Sequence, residues 1–122
     1  MEVVKTPENR FHDLEDYPFE PNYLSCDGLQ IHTVDEGDNE NEVVVMLHGE
    51  PTWSFLYRKM IPIVRDAGFR VVAPDFIGFG KSDKPVDKNV YTYQQHVDWM
   101  AAFLRELDLK NITLFCQDWG GL

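Results

Sequence analysis

The sequence contains little cysteine, with only Cys26 and Cys116 in 122 residues. Two isolated cysteines provide neither a disulfide framework nor a CxxC metal pair, and a chain of this kind is expected in the cytoplasm. Cys116 ends an apolar run, so we expect it to be a buried free thiol. The four histidines are scattered along the chain, and no metal site is expected.

Long apolar runs and an excess of basic residues are also missing. No segment is long enough to span a membrane, and residues 1–7 lack the apolar core of a secretory leader, so neither is expected. The net charge is -10, and all of it lies in residues 1–42, which hold only two basic residues. Without a basic stripe to neutralise phosphates, nucleic acid is not expected as a partner. The acidic stretch predicts a solvated surface, with a docking face for a basic partner as the alternative.

Glycine-rich nucleotide motifs are incomplete. Gly80-Lys81-Ser82 resembles the end of a phosphate-binding P-loop, but Asp75 stands where that motif requires glycine. Gly78-Phe79-Gly80 lacks the third glycine of a dinucleotide fingerprint. The sequence therefore predicts no nucleotide cofactor, and no other cofactor is expected.

The pattern that is present predicts one α/β domain over residues 1–122. Residues 1–27 are expected to form an extended arm, and residues 28–35 alternate as in an antiparallel strand with one wet face. The remaining elements are three buried strands at 43–47, 70–74 and 112–116, a helix over 53–67 broken at Pro62 and ended by Gly68, and a helix capped by Thr92 and Gln95. Alternating strands and helices predict a mostly parallel, doubly wound sheet.

Polar residues follow the ends of the three buried strands, where open α/β sheets carry their chemistry. The three strand tips are His48-Gly49-Glu50-Pro51, Pro74-Asp75-Phe76 and Gln117-Asp118-Trp119. Asp118 is followed two places later by Gly120, the small residue that a nucleophile elbow requires. The alternative is an ordinary acid stabilised near a helix N-terminus.

The runs His48-Gly-Glu-Pro-Thr-Trp-Ser54, Ala73-Pro-Asp-Phe-Ile-Gly-Phe-Gly-Lys-Ser-Asp-Lys-Pro85 and Gln117-Asp-Trp-Gly-Gly121 occur in the order and spacing of the haloalkane dehalogenases. The chain resembles that family of the α/β-hydrolase superfamily from about Thr6 to Leu122. The resemblance implies hydrolysis of a small halogenated hydrocarbon to an alcohol and a halide ion, with water as the second substrate. An aspartate suits this chemistry because a carboxylate is anionic at neutral pH and can displace halide from an sp3 carbon.

The resemblance also implies a role for individual residues. Asp118 would be the nucleophile, the backbone N–H groups of Glu50 and Trp119 would form the oxyanion hole, and the Trp119 indole would bind halide. A cis peptide is implied before Pro51. The other expected roles are structural: His48 and the Glu50 side chain support their loop, Asp75 braces its own loop, Trp53 forms a cavity wall or loop support, and Trp99 packs in the core.

In the family, the catalytic histidine, its acid partner, the cap domain and further strands follow the elbow, so they are expected beyond these 122 residues. Strand 112–116 would then expose an unpaired edge, and the 122-residue chain alone is expected to be inactive. Two alternatives remain. An epoxide hydrolase shares the His-Gly-x-Pro loop, although Gln117 and the run Glu50–Trp53 favour the dehalogenase; a non-catalytic remnant is the other. The substrate's identity and the oligomeric state are left open.

Overall fold

The computed structural model describes residues 1–38, 40–109 and 111–121. Two α-helices and seven strands occur in this part of the chain. The α-helices are α1 (Met60–Asp66) and α2 (Tyr93–Leu107). The strands are β1 (Val3–Val4), β2 (Asn22–Cys26), β3 (Leu29–Glu36), β4 (Val43–Leu47), β5 (Arg70–Pro74), β6 (Lys84–Pro85) and β7 (Ile112–Cys116). Four 3-10 helices cover Glu8–Phe11, Ser54–Tyr57, Lys88–Val90 and Asp118–Gly121.

The main sheet has the order β2-β3-β5-β4-β7. Its β2–β3 and β3–β5 pairs are antiparallel, whereas β4 pairs in parallel with both β5 and β7. Strands β1 and β6 form a separate antiparallel pair. The α/β class is confirmed, with mixed pairing in the sheet; the β2–β3 pair is antiparallel because a hairpin joins its two strands.

Strand β4 divides the core into two halves. Val45 and Leu47 pack with Trp99 and Phe103 of α2, whereas Met46 packs on the other face with Ile61 of α1. Successive side chains of a strand point to opposite faces, so a continuous apolar run serves both halves at once. The sheet therefore carries one helix on each face, as expected for a doubly wound fold.

The N-terminal arm is extended, but residues 22–26 form strand β2, which the sequence analysis did not identify. Cys26 pairs with Leu29, and the two residues between them, Asp27 and Gly28, have φ values of 51° and 80°. Two central residues with positive φ match the right-handed twist of a tight hairpin, for which Asp-Gly is a preferred pair. That dipeptide was the available signal for β2.

The expectation of a wet face on β3 is wrong at its centre. His32 and Val34 lie on the face predicted to be wet, but both are buried, with 1% and 0% exposed. The His32 ring lies 5.4 Å from the ring of Tyr23, and its backbone N–H donates to Oγ of Ser82. This face is covered because Tyr23 of β2, and Asp75 and Ser82 from the segment after β5, contact His32.

The first helical region differs from the predicted one. Helix α1 begins at Met60, so Pro62 lies in its first turn, where a missing N–H costs no helical hydrogen bond. The interruption occurs earlier, between the 3-10 helix that ends at Tyr57 and α1. Gly68 follows the last turn with φ of 103°, as expected for a C-terminal glycine. The predicted N-cap of α2 is confirmed, because Oγ1 of Thr92 accepts from the N–H of Gln95.

Strand β7 lies at the edge of the sheet and is exposed. Leu114 is 56% exposed and Phe115 46%, and Cys116 is exposed as well. The expected exposed edge is confirmed, but the expectation of a buried Cys116 thiol is wrong. The physical reason is that β7 pairs only with β4, so the described residues cover one side of it. Neither described α-helix is long and apolar enough to cross a bilayer.

Candidate active site

Asp118 stands at the turn that follows β7. It begins the 3-10 helix Asp118–Gly121 with φ of 56°. A residue other than glycine in this left-handed region is uncommon and typically marks a constrained turn. The conformation resembles a nucleophile elbow, in which a sharp strand-to-helix turn exposes the nucleophilic side chain beyond the sheet. Asp118 is exposed here, so its carboxylate is accessible.

Two glycines allow this turn to lie against the end of β4. A Cβ on Gly120 would come within 2.5 Å of the carbonyl oxygens of Leu47 and His48. A Cβ on Gly49 would come within 2.5 Å of the Asp118 Cβ. Contacts this short do not occur between real side chains and backbone, so both positions require glycine. The sequence-based requirement for a small residue at position 120 agrees with this geometry.

Gln117 joins the elbow to the loop after β4. Its backbone N–H donates to the carbonyl of Leu47 at 3.1 Å, and its side-chain Oε1 accepts from the N–H of Gly49 at 3.1 Å. The loop of residues 48–54, here called the oxyanion loop, is therefore fixed against the elbow. Two of the three strand tips identified in the sequence lie together.

The third strand tip is joined through His48. Nε2 of His48 accepts from the backbone N–H of Phe76 at 3.0 Å, which leaves Nδ1 to donate to the carbonyl of Gly49 at 2.8 Å. This pair of bonds selects the neutral tautomer with its proton on Nδ1. Burial lowers the pKa of His48, despite the raising effects of the Gly49 carbonyl and Asp75. His48 thus has the structural role expected for it.

A pocket of about 530 Å³ lies beside the elbow. Glu50 and Trp119 both line it, which brings together the two residues proposed for the oxyanion hole. The Trp119 side chain is 56% exposed. The remaining lining is mainly apolar and aromatic, from Leu47, Gly49, Phe76, Gly78, Phe79, Tyr91, Thr92, Tyr93, His96, Val97, Met100 and Gly120. A pocket of this size and character suits a small apolar ligand.

The other residues singled out in the sequence have structural roles in the loops or the core. The Glu50–Pro51 peptide is cis, and the Glu50 side chain is exposed. Trp53 stacks on Phe55 at 5.5 Å and lies 5.3 Å from the ring of Phe11, so it supports the loop rather than lining the pocket. Trp99 is buried in the core, as expected.

His96 and Tyr91 line the pocket but were not predicted as site residues from the sequence. The His96 ring lies 5.2 Å from the Trp99 ring and lines the pocket, and burial, followed by the charge of His48, lowers its pKa. The available signal was its spacing of three and four residues from Trp99 and Met100, which places all three on one face of α2. Within the described ranges, no group of three or more His, Cys, Asp or Glu side chains could hold a metal ion.

Comparison with known proteins agrees with this geometry. The family model of the alpha/beta hydrolase fold matches residues 42–122. A haloalkane dehalogenase of Psychrobacter cryohalolentis is 56% identical over 127 residues, covering 100% of this chain and 42% of that protein. The tetrameric structure of a haloalkane dehalogenase from Paraglaciecola agarilytica has a TM-score of 0.94 at 50% identity, covering 99% of this chain and 42% of that one.

An epoxide hydrolase from Vigna radiata is also similar, with a TM-score of 0.76 at 30% identity, covering 83% of this chain and 32% of that one. The identity to the two dehalogenases above is higher and extends over more of the chain. In each case the chain spans less than half of its relative's length. It spans 42% of the length of each of the two dehalogenases.

Proposed function

This chain belongs to the α/β hydrolase fold family, and from that premise we propose that it supplies the nucleophile, the oxyanion hole and a halide-binding group of a haloalkane dehalogenase. The observation that carries the proposal is Asp118, an exposed aspartate with φ of 56° at the elbow. The 56% and 50% identity to dehalogenases supports this activity over that of an epoxide hydrolase, for which the identity is 30%.

In the first step, a carboxylate oxygen of Asp118 attacks the carbon that bears the halogen. A C–O bond forms, the C–halogen bond breaks, and the halide departs with the bonding electron pair. The products are an alkyl ester on Asp118 and a halide ion. The indole N–H of Trp119, which lines the same pocket, can donate to that anion.

In the second step, water attacks the carbonyl carbon of the ester. A histidine base, expected from the family beyond these 122 residues, takes the water proton, and the tetrahedral intermediate places negative charge on the former carbonyl oxygen. The intermediate collapses with cleavage of its bond to the alkoxy oxygen, which receives the proton held by the histidine and leaves as the alcohol. The Asp118 carboxyl group then loses one proton to solvent and is again a carboxylate. The backbone N–H groups of Glu50 and Trp119 would stabilise the charged oxygen, and one donor of this kind contributes about 3–4 kcal/mol in related chemistry.

The Trp119 N–H belongs to the start of the 3-10 helix. Within that turn, the N–H of Gly120 donates to the carbonyl of Gln117. Trp119 lies one residue earlier, before the first of these hydrogen bonds. The first N–H groups of a helix have no partner within it, which makes them suitable for an anion. On the opposite side, the oxyanion loop carries Glu50 to the same pocket.

The proposal is tested with the protein expressed from its complete gene. Wild-type protein and Asp118→Asn are incubated with short bromoalkanes, and bromide release is measured together with the mass of the peptide that contains residue 118. We expect bromide release from the wild type, with an alkyl adduct on Asp118 in a single turnover, and neither from the variant. Release that persists in the variant contradicts the nucleophile assignment.

The same preparation separates the alternatives. Ring opening of a small epoxide without bromide release would identify an epoxide hydrolase, and inactivity towards both substrates would support a non-catalytic remnant. We propose small halogenated hydrocarbons, water and halide as the ligands. A cytoplasmic location is proposed as well, supported by the free thiols of Cys26 and Cys116.

A further inference from the structure

Asp75 is buried at the end of β5, with 0% of it exposed, and it does not line the pocket. Its carboxylate nevertheless accepts three hydrogen bonds. Oδ1 accepts from the backbone N–H of Ser54 at 2.7 Å, and Oδ2 accepts from Nδ1 of His32 at 2.8 Å and from the backbone N–H of Lys81 at 2.9 Å. An ionised carboxylate has the acceptor capacity for all three donors.

These donors belong to three separate parts of the chain. His32 lies on β3, Ser54 ends the oxyanion loop, and Lys81 belongs to residues 76–83, here called the pocket loop. Asp75 therefore does more than brace its own loop, the role the sequence predicted. It connects a buried strand to two of the loops whose residues line the pocket.

The negative charge of Asp75 is essential to this arrangement. Burial by itself would raise the pKa of Asp75, but the hydrogen bond and charge of His32, together with the N–H groups of Lys81 and Ser54, lower it below the usual value. An amide at this position would present an NH2 group to at least one N–H donor. Asparagine therefore preserves the side chain's shape and breaks one branch of the network.

Ser54 links Asp75 to the proposed oxyanion hole. The oxyanion loop leaves β4 after Leu47, where Gln117 holds Gly49, and it is held again at Ser54 by Asp75. Between these anchors, the N–H of Thr52 donates to the carbonyl of Gly49 at 3.2 Å, so Glu50 lies within a tight turn. The position of the Glu50 N–H consequently depends on both anchors.

We propose that Asp75 is a positioning residue for hydrolysis of the ester on Asp118, and that it acts by holding the oxyanion loop and its Glu50 N–H in place. This inference rests on the proposed function. The Glu50 N–H would contact the charged oxygen that forms in the second step, whereas halide displacement depends on Asp118 and Trp119, which belong to the elbow after β7. Loss of the Asp75 anchor therefore slows hydrolysis of the ester more than its formation.

The test compares Asp75→Asn with wild-type protein expressed from the complete gene. Rapid mixing with a bromoalkane measures the first turnover of bromide, steady-state release measures the full cycle, and mass spectrometry measures the alkyl ester on Asp118. For the variant we expect a first turnover within about threefold of wild type. We also expect steady-state release to fall by tenfold or more, with accumulation of ester, since a misplaced catalytic donor costs about 10–100-fold.

Asp83→Asn provides a matched control. Asp83 is buried on the same pocket loop, pairs with Lys5 and accepts from the N–H of Gln30 on β3, but its bonds do not reach the oxyanion loop. We expect the ratio of hydrolysis to ester formation in this variant to match wild type, even where its stability falls. An equal change of ratio in both aspartate variants would overturn the inference.

Two variants of His32 test the same inference if Asp75→Asn does not fold. His32→Asn can retain a donor near the position of Nδ1, whereas His32→Leu removes it. We expect ester to accumulate in the leucine variant and the asparagine variant to restore the wild-type ratio. Equal loss of both steps, or no accumulation in any folded variant, overturns the role of Asp75. Absence of bromide release from wild type instead refutes the proposed function itself.

Discussion

Gly49 lies directly against Asp118, so that a methyl group on Gly49 would come within 2.5 Å of the Asp118 Cβ and 2.9 Å of its Oδ2. The glycine belongs to the loop after β4, and the aspartate belongs to the turn after β7. Parallel pairing of Leu47 with Cys116 brings these two strand ends side by side. The absence of a side chain at position 49 is therefore a condition for the position of Asp118.

Gly49→Ala is expected to destabilise the protein and to displace Asp118. The added methyl group must move backbone at Gln117 as well as the aspartate, and overpacking of this kind costs about 1–3 kcal/mol. Urea unfolding measures the cost. Gly121→Ala is the control, because its Cβ would meet only the Cys116 Cβ at 3.5 Å, an ordinary contact. Equal stability of the two variants would contradict the close packing of this turn.

Trp119→Phe is expected to weaken halide binding by about tenfold or more. The substitution keeps an aromatic ring in the pocket but removes the indole N–H, and a hydrogen bond to a charged group contributes about 1.5–3 kcal/mol. Inhibition of substrate turnover by added bromide gives the affinity. Trp53→Phe is the matched control because Trp53 packs on Phe55 and Phe11 away from the pocket. A similar loss of bromide affinity in both variants would disprove the assignment.

Acidification is expected to destabilise the fold through His48. Burial lowers the pKa of His48 in the folded protein, whereas in the unfolded chain it titrates at about 6.5. The unfolded state therefore binds more protons below that pH, and stability falls as the pH decreases from about 7 towards the lowered folded value.

Denaturant unfolding at pH 7.5 and 5.5 measures this dependence. His48→Gln, which can keep an acceptor for the Phe76 N–H, should reduce it, with His96 supplying part of the remainder because its pKa is also lowered. An unchanged dependence in His48→Gln would show that other groups cause the acid sensitivity.

The two cysteines of the 122-residue chain are expected to react at very different rates. Cys116 is exposed on the edge strand, whereas Cys26 is buried, and burial raises the pKa of its thiol, with smaller contributions from Glu106 and Asp27. Because the thiolate is the reactive species, a thiol reagent should label one equivalent rapidly and the second slowly. Peptide mapping should locate the rapid label at Cys116; rapid labelling of Cys26 would refute the burial of this residue at the end of β2.

The exposed strand β7 is expected to promote association of the 122-residue chain. An open sheet edge with apolar side chains is a template for pairing with another chain. Leu114→Lys, at a position 56% exposed, should reduce association at little cost in stability. Val45→Lys, at the position paired with Leu114 but fully buried, should unfold the chain. Light scattering and circular dichroism distinguish these outcomes, and unchanged association in Leu114→Lys would exclude the edge as its cause.

The sequence patterns predicted strands β3, β4, β5 and β7 and helix α2 because each carries a strong local signal, such as a continuous apolar run or a capping threonine. They failed where the outcome depended on neighbours. Pro62 was expected to break a helix, but the helix begins two residues before it. The N–H that proline lacks would have no partner in the first turn of a helix, so no hydrogen bond is lost. Cys116 was expected to be buried, but an apolar run is buried only when another element covers it.

The anionic group at position 118 follows from the sequence alone, because an aspartate between a predicted strand and Trp119-Gly120 places a carboxylate at a strand tip. The order and spacing of the three strand-tip motifs likewise indicated the family. Only the tertiary structure decided which groups hold these tips together: Gln117 to Gly49, His48 to Phe76, and Asp75 to His32, Ser54 and Lys81. These bonds join residues from 6 to 68 positions apart, and contacts at such separations are fixed by strand pairing and burial, which no local pattern contains.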